Sequence, residues 1–346
     1  MIARSLAVAS CAAAFAACAA PELVAGKAPL HLPPPPAPGV AHAEGVFTGT
    51  AGIRLFEQSW RPAPESGIVP KAVVVIVHGL KDHSSRYAPL AEQLVARGYA
   101  AYAFDLRGHG YSEGRRVWVD WFDQYVSDLD AFVKAVAARE PGRPVFVFGH
   151  SMGGAIVATY ALTRQPPIRG IVLSAAALKV TSDVTPFLTR IVKWLGRSNP
   201  RIAVLKLPNK NFSSDPRAVE AMARDPVIYQ GAGPARTAAE LLAAIERIQQ
   251  SMDRLALPFL VLHGTADVVT NPDGSKELFR RAASRDKTIK IYAGYYHDLL
   301  HEPGGAKVAA DILDWLDARV TATGNQGGQG SARNLSRAAL ASIGPP

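Results

Sequence analysis

Cysteine is confined to the first eighteen residues of this 346-residue chain: Cys11 and Cys18 are the only two. The globular part therefore has no disulfide, no thiolate-ligated metal and no thiol nucleophile. Acidic residues are outnumbered, 29 Asp and Glu against 38 Lys and Arg, for a formal net charge of +9. That excess suits an anionic surface, but aromatics make up only 8% and do not interleave with the basic residues along one stretch. No nucleic-acid-binding motif accompanies them, so no nucleic-acid partner is expected. No metal cluster or cofactor fingerprint is visible, and no cofactor is expected. The apolar N-terminal stretch, Ser5 to Ala17, is too short to span a bilayer. What the chain does have is 48% hydrophobic residues, enough to bury a sizeable core.

The ends read differently from the middle. Arg4 followed by the Ala-rich stretch has the form of an export signal over residues 1–20. Phe15-Ala16-Ala17-Cys18 resembles a bacterial lipoprotein signal, in which the cysteine is lipidated; the alternative is an ordinary cleaved export signal. Either reading predicts an exported protein, periplasmic or membrane-anchored, otherwise secreted. Pro29 to Pro38 includes four consecutive prolines, so residues 21–44 are expected to form an extended tether. From Thr321 on, Gly, Asn, Gln and Ser dominate, which predicts a disordered tail over 321–346.

Residues 45–320 carry the pattern of an α/β domain. Gly45 to Trp60 alternates around a Thr-Ala-Gly turn and predicts an opening hairpin. Ala72 to Val77 is an unbroken apolar run, the signature of a strand buried on both faces. Tyr99 to Phe104, Pro144 to Phe148 and Ile168 to Ser174 are further strands. Helices are expected at Ala88 to Arg97, Trp121 to Arg139 and Ala155 to Arg164. Alternation of this kind implies right-handed crossovers and a mostly parallel sheet flanked by helices. The rhythm breaks after Ala177, where six prolines interrupt residues 178 to about 235. It resumes with strands at Phe259 to His263 and Ile289 to Tyr292 and a helix from Gly305 to Val320. The middle segment therefore reads as an insertion into one sheet domain.

The chemistry begins at Gly149-His150-Ser151-Met152-Gly153, between a strand and a helix. A serine on so sharp a turn needs glycine on both sides, and the turn raises its hydroxyl above the sheet. The Met152 amide, at the helix start, then points to where negative charge develops. A serine hydroxyl needs a base, with the carboxylate and the histidine following it in chain order. Asp267 ends the loop His263-Gly264-Thr265-Ala266-Asp267, just past a strand, and His297 follows the last strand. Both fall where doubly wound sheets hold their chemistry. His301, four residues on, is the rival base. The second oxyanion donor is expected from the loop after Val77, at the amide of Leu80, with His78 as a structural histidine of that loop.

Together these residues resemble the monoacylglycerol lipase and lysophospholipase branch of the α/β-hydrolases, over about Gly45 to Val320. The specific pieces are the run His78 to Tyr87, Asp105-Leu106-Arg107-Gly108-His109-Gly110-Tyr111-Ser112, the elbow through Gly154, His263 to Asp267, and Lys287 to His297. The resemblance implies the α/β-hydrolase fold with an inserted helical cap over an apolar acyl tunnel, and single-chain lipid esters as substrates. It implies a head-group role for Asp82 and Arg86. Two departures stand out: Leu80-Lys81 replaces the small residues usual after His-Gly, and a further head-group histidine is Leu300 here.

The insertion has a signal of its own. Val184, Phe187, Leu188, Ile191, Val192 and Leu195 form a helical stripe. Lys179 to Lys210 holds seven Lys or Arg against one Asp. Such a helix either packs its stripe over the active site or lies on an anionic membrane. The expected function is ester hydrolysis through an acyl-enzyme on Ser151. A lysophospholipase, a general carboxylesterase and a catalytically silent lipid-binding lipoprotein are the alternatives.

Overall fold

Val73–Val77 is all valine and isoleucine, and every one of its side chains is buried. Val73, Val75 and Val77 join one core while Val74 and Ile76 join another. That is the two-residue period of a strand covered on both faces. Each such side chain is worth about 1.5–3 kcal/mol when fully buried, so the run can form nothing but the middle of a layered sheet. The computed structural model describes residues 35–181 and 184–320. The export signal, Cys18, most of the tether and the C-terminal tail lie outside those residues.

The sheet has eight strands in the order β1-β2-β4-β3-β5-β6-β9-β10. They are β1 (Val40–Thr48), β2 (Arg54–Pro62), β3 (Val73–Val77), β4 (Ala100–Phe104), β5 (Val145–His150), β6 (Gly170–Ser174), β9 (Phe259–Gly264) and β10 (Lys287–Tyr292). Only β2 runs against the others. The hairpin opens earlier than the sequence predicts, because β2 extends to Pro62 and Val40 pairs with it. Upstream, the Ala37 amide donates to Glu92, so the expected tether meets the domain before residue 44.

Helices α1 (Ala88–Ala96) and α8 (305–320) cover one face, through residues such as Leu94 and Ile312. Helices α2 (Phe122–Arg139), α3 (Met152–Arg164), α6 (Ala235–Ser251) and α7 (Pro272–Arg281) cover the other. Helix α3 starts at Met152, three residues before the start its glycines suggest. Gly153 and Gly154 are not breakers. A Cβ on Gly153 would sit 2.3 Å from the Val77 carbonyl, and one on Gly154 2.4 Å from the Ala176 Cβ. They let the helix press against β3 and the loop after β6.

The insertion lies between β6 and β9. It holds α4 (Pro186–Ser198), a two-stranded ladder of β7 (Ala203–Leu205) with β8 (Gly233–Pro234), and α5 (Pro216–Arg224). Pro186 opens α4 behind the Thr185 cap, whose side chain accepts from the Leu188 amide. Helix α4 packs on α6, closely enough at Gly196 that a Cβ there would lie 2.6 Å from that of Ala239. The apolar stripe is not buried by this packing. Val184, Ile191, Val192 and Leu195 are half-buried, while Phe187 is 71% and Trp194 64% exposed.

Candidate active site

Three strand ends and one loop meet at the carboxyl edge of the sheet. β5 delivers Ser151, β9 delivers Asp267, β10 leads to His297, and β3 leads into the loop His78 to His83. Ser151 sits at φ 55°, ψ −121°, a conformation that side-chain-bearing residues rarely adopt. Its neighbours explain how this is held. A Cβ on Gly149 would come within 2.6 Å of the Gly153 carbonyl oxygen, and one on Gly79 within 3.0 Å of the Ser151 Cβ. The loop after β3 is therefore pressed against the nucleophile turn.

The structure brings the sequence-derived trio into one chain of hydrogen bonds. The Ser151 hydroxyl is 2.8 Å from His297 Nε2, and His297 Nδ1 is 2.8 Å from Asp267 Oδ2. Asp267 is engaged further by its own loop. Its Oδ1 accepts from the amides of Val269 and Thr270, and its Oδ2 from the Thr270 hydroxyl. His263 Nε2 lies 3.1 Å from the same Oδ2, and the Ser275 hydroxyl is 2.7 Å from His263 Nδ1. Burial would raise the Asp267 pKa, but the nearby His297 and the bonds from His263 and His297 outweigh it and hold the carboxylate far below its usual range. Thr270 and Ser275 were not singled out in the sequence. Thr270 lies three residues past Asp267 and Ser275 lies within α7, and no motif marks either.

His301 is placed elsewhere. Its Nδ1 bonds Asp298 at 2.9 Å, and it lines a cavity of about 500 Å³ with Arg86, Asp225 and Met222. His78 is fully buried, with Nδ1 on the Gly79 carbonyl and Nε2 accepting from the Leu106 amide. It braces the loop that carries Leu80. His150 lies beside His297, ring centroids 4.8 Å apart, and burial together with that neighbour pushes its pKa down to about 4. It is a neutral wall to the base at ordinary pH.

The two oxyanion candidates, the amides of Leu80 and Met152, make no hydrogen bond to the described residues. Both belong to buried residues next to Ser151, one on the pressed loop and one at the start of α3. Lys81 follows with φ 63°. A residue with a Cβ in that region costs about 1–2 kcal/mol, where glycine would cost little. Asp82 and Arg86 separate in role. Asp82 accepts from Arg86, the His83 amide and the Tyr87 hydroxyl, so its carboxylate is engaged inside the protein. Arg86 bridges Asp82 and Asp298, at 3.0 and 2.7 Å, and also reaches the cavity wall. Burial alone would raise the pKa of both carboxylates; the guanidinium between them holds both below their usual range. No His, Cys, Asp or Glu group among the described residues is arranged to hold a metal ion.

The model of the Hydrolase_4 family, described as serine aminopeptidase S33, matches residues 69–304. A monoacylglycerol lipase of Mycolicibacterium smegmatis is 35% identical over 79% of this chain and 96% of its own. Human monoglyceride lipase is 32% identical over 86% of this chain and 96% of its own. The crystal structure of a monoacylglycerol lipase from Paleococcus ferrophilus superposes with a TM-score of 0.69, at 33% identity, covering 77% of this chain and 99% of that one.

Proposed function

The chain belongs to the monoacylglycerol lipase branch of the α/β-hydrolase superfamily, and on that premise we propose the path by which it cleaves its ester. It is a serine hydrolase acting on monoacylglycerol-like esters. The observation that supports the path is His297, which spans Ser151 and Asp267 with 2.8 Å on each side. His297 Nε2 takes the Ser151 proton as the hydroxyl attacks the ester carbonyl. Asp267 accepts from Nδ1, which keeps Nε2 free to act as base and stabilises the imidazolium once formed. The amides of Leu80 and Met152 receive the oxyanion. His297 then protonates the leaving alcohol, and water drawn to the same base releases the fatty acid from Ser151.

The substrate reaches this site beneath a cap that also faces outward. Phe187, Arg190, Trp194 and Arg197 are spaced three or four apart along α4 and all are exposed. Aromatic and basic side chains on one helical face support contact with an anionic membrane surface. No helix among the described residues is long and apolar enough to cross a membrane. Export and anchoring through Cys18 rest on the N-terminal sequence alone.

The test compares wild type with Ser151→Ala on p-nitrophenyl butyrate, monoacylglycerols, lysophospholipids and other carboxylic esters. Labelling of Ser151 by a fluorophosphonate accompanies the panel. Retained activity in Ser151→Ala would overturn the path. A preference for lysophospholipids would move the substrate class, and absence of both turnover and labelling would leave a lipid-binding protein.

A further inference from the structure

One stretch of the cap touches both halves of the acyl-transfer machinery. The Leu207 carbonyl accepts from Lys81 Nζ at 3.2 Å, and Lys81 directly follows Leu80, whose amide is the proposed oxyanion donor. Five residues on, Phe212 sets its ring against His297, centroids 5.2 Å apart and planes at 79°. Its carbonyl accepts from the Asp298 amide at 2.6 Å. Residues 207–212 therefore reach from the oxyanion loop to the base.

Lys81 is an unexpected residue to find there. Its backbone takes a conformation that glycine adopts freely and lysine does not. The residue is only 3% exposed, and no carboxylate of the described residues lies within ion-pair distance. Burial pushes its ammonium below its ordinary pKa. A strained backbone and an ammonium removed from water without a counter-charge are both unfavourable. The partner the side chain gains in return is the cap. Phe212 is likewise buried, in a small cap cluster with Met222 and Ile228, so the ring that contacts His297 is anchored in the cap.

We propose that Lys81 and Phe212 are positioning residues that make catalytic competence conditional on the seating of cap residues 207–212. Lys81 holds the loop bearing the Leu80 amide to the Leu207 carbonyl. Phe212 fixes the plane of the His297 ring and keeps water from it. The proposal rests on Ser151, Asp267 and His297 acting as described above, and adds the coupling between them and the cap.

The experiment uses p-nitrophenyl butyrate, whose short acyl chain makes little demand on a tunnel, with Lys81→Gly, Lys81→Met, Lys81→Arg, Phe212→Leu and the Lys81→Gly/Phe212→Leu double variant. Lys81→Gly suits the backbone, so it folds even where Lys81→Met does not. The expected result is a kcat lowered about 10- to 100-fold in Lys81→Gly and Phe212→Leu, with KM changed less than about threefold. Lys81→Arg restores most of the rate, because it can still donate to Leu207. The double variant loses no more than the worse single one, because both act through one segment. Circular dichroism and thermal midpoints establish that each variant is folded. A kcat in Lys81→Gly within about twofold of wild type, or losses that multiply in the double variant, overturns the coupling. Ser151→Ala is run alongside. Activity surviving there overturns the reading of the site itself, whereas a dead Ser151→Ala beside a full-rate Lys81→Gly overturns only the coupling.

Discussion

Asp267 serves two histidines with one oxygen: Oδ2 lies 2.8 Å from His297 Nδ1 and 3.1 Å from His263 Nε2. Ser275 completes the line by bonding the far nitrogen of His263. His263, together with the Thr270 hydroxyl on the same Oδ2, holds the carboxylate where it accepts from His297. Asp267→Asn should lower kcat by about 10⁴-fold, the scale seen when a triad carboxylate is replaced. His263→Leu should lower it by about tenfold or more, since a hydrogen bond to a charged group is worth about 1.5–3 kcal/mol. Saturating kinetics on p-nitrophenyl butyrate measure both, and a wild-type rate in His263→Leu would show that Asp267 is held by its own loop.

The two histidines after β10 differ in what they touch. His297→Ala removes the base and should cost about 10³- to 10⁴-fold or more in kcat. His301 bonds Asp298 and not Ser151, so His301→Ala should keep kcat within about threefold. A larger loss in His301→Ala than in His297→Ala would reverse the assignment of the base.

Arg86 sits between two buried carboxylates, and removing it strands both. Arg86→Met should destabilise the protein by about 3–5 kcal/mol at neutral pH. The folded pKa values of Asp82 and Asp298 lie below their unfolded ones. Their contribution is thus complete above the unfolded value, near 4, and declines as pH falls toward the folded values. Without Arg86 the two groups can protonate in the folded state. The gap between variant and wild type should therefore narrow from pH 7 to pH 3. Urea midpoints across that range test it, and a gap independent of pH would contradict the ion network.

Gly153 faces the carbonyl of Val77 with no room for a methyl group. Gly153→Ala should destabilise by about 1–3 kcal/mol or more through overpacking against backbone. Thermal unfolding gives the shift. An unshifted midpoint would mean that α3 does not press on β3 as described.

The exposed face of α4 offers a separable variant. Replacing Phe187 and Trp194 together by serine should leave hydrolysis of dissolved p-nitrophenyl butyrate unchanged, within about twofold. The same variant should lose about a hundredfold or more in binding to anionic vesicles, because about 1.5–3 kcal/mol accompanies each of the two large apolar side chains removed from water. Flotation with vesicles of mixed neutral and anionic lipid measures it. Equal binding by both proteins would argue against membrane contact through this face.

The sheet was legible because its strands are pure signals. Val73–Val77 is apolar throughout, and so is the run from Phe259 to Leu262, which Pro258 precedes. Ser151, Asp267 and His297 were legible because a turn, a loop and a chain order constrain them locally. The details missed depend on contacts between distant segments. Helix α6 does not stand out because its polar face and small residues resemble the irregular insertion that precedes it. Asp82 and Arg86 resemble head-group ligands in sequence, yet Tyr87 and Asp298 occupy them, and only the fold brings Asp298 within 2.7 Å of Arg86. The α4 stripe shows the limit of periodicity. It identifies a helix with an apolar side but not what that side faces. Phe212 carries no motif, and its place against His297 follows from how the insertion folds back.

The insertion also governs how the protein must fold. β6 and β9 pair directly, Ile171 with Phe259, although the whole cap lies between them in the chain. The nucleophile is made before that detour, and its carboxylate and base only after it. Closing so long a loop is entropically slow, and contacts between remote segments form late. The hydrolytic centre therefore comes into being only when β9 docks on β6 and β10 on β9. Regain of ester hydrolysis after dilution from denaturant should lag behind the recovery of helix and strand signals, so enzyme activity doubles as a clock for the final step of refolding.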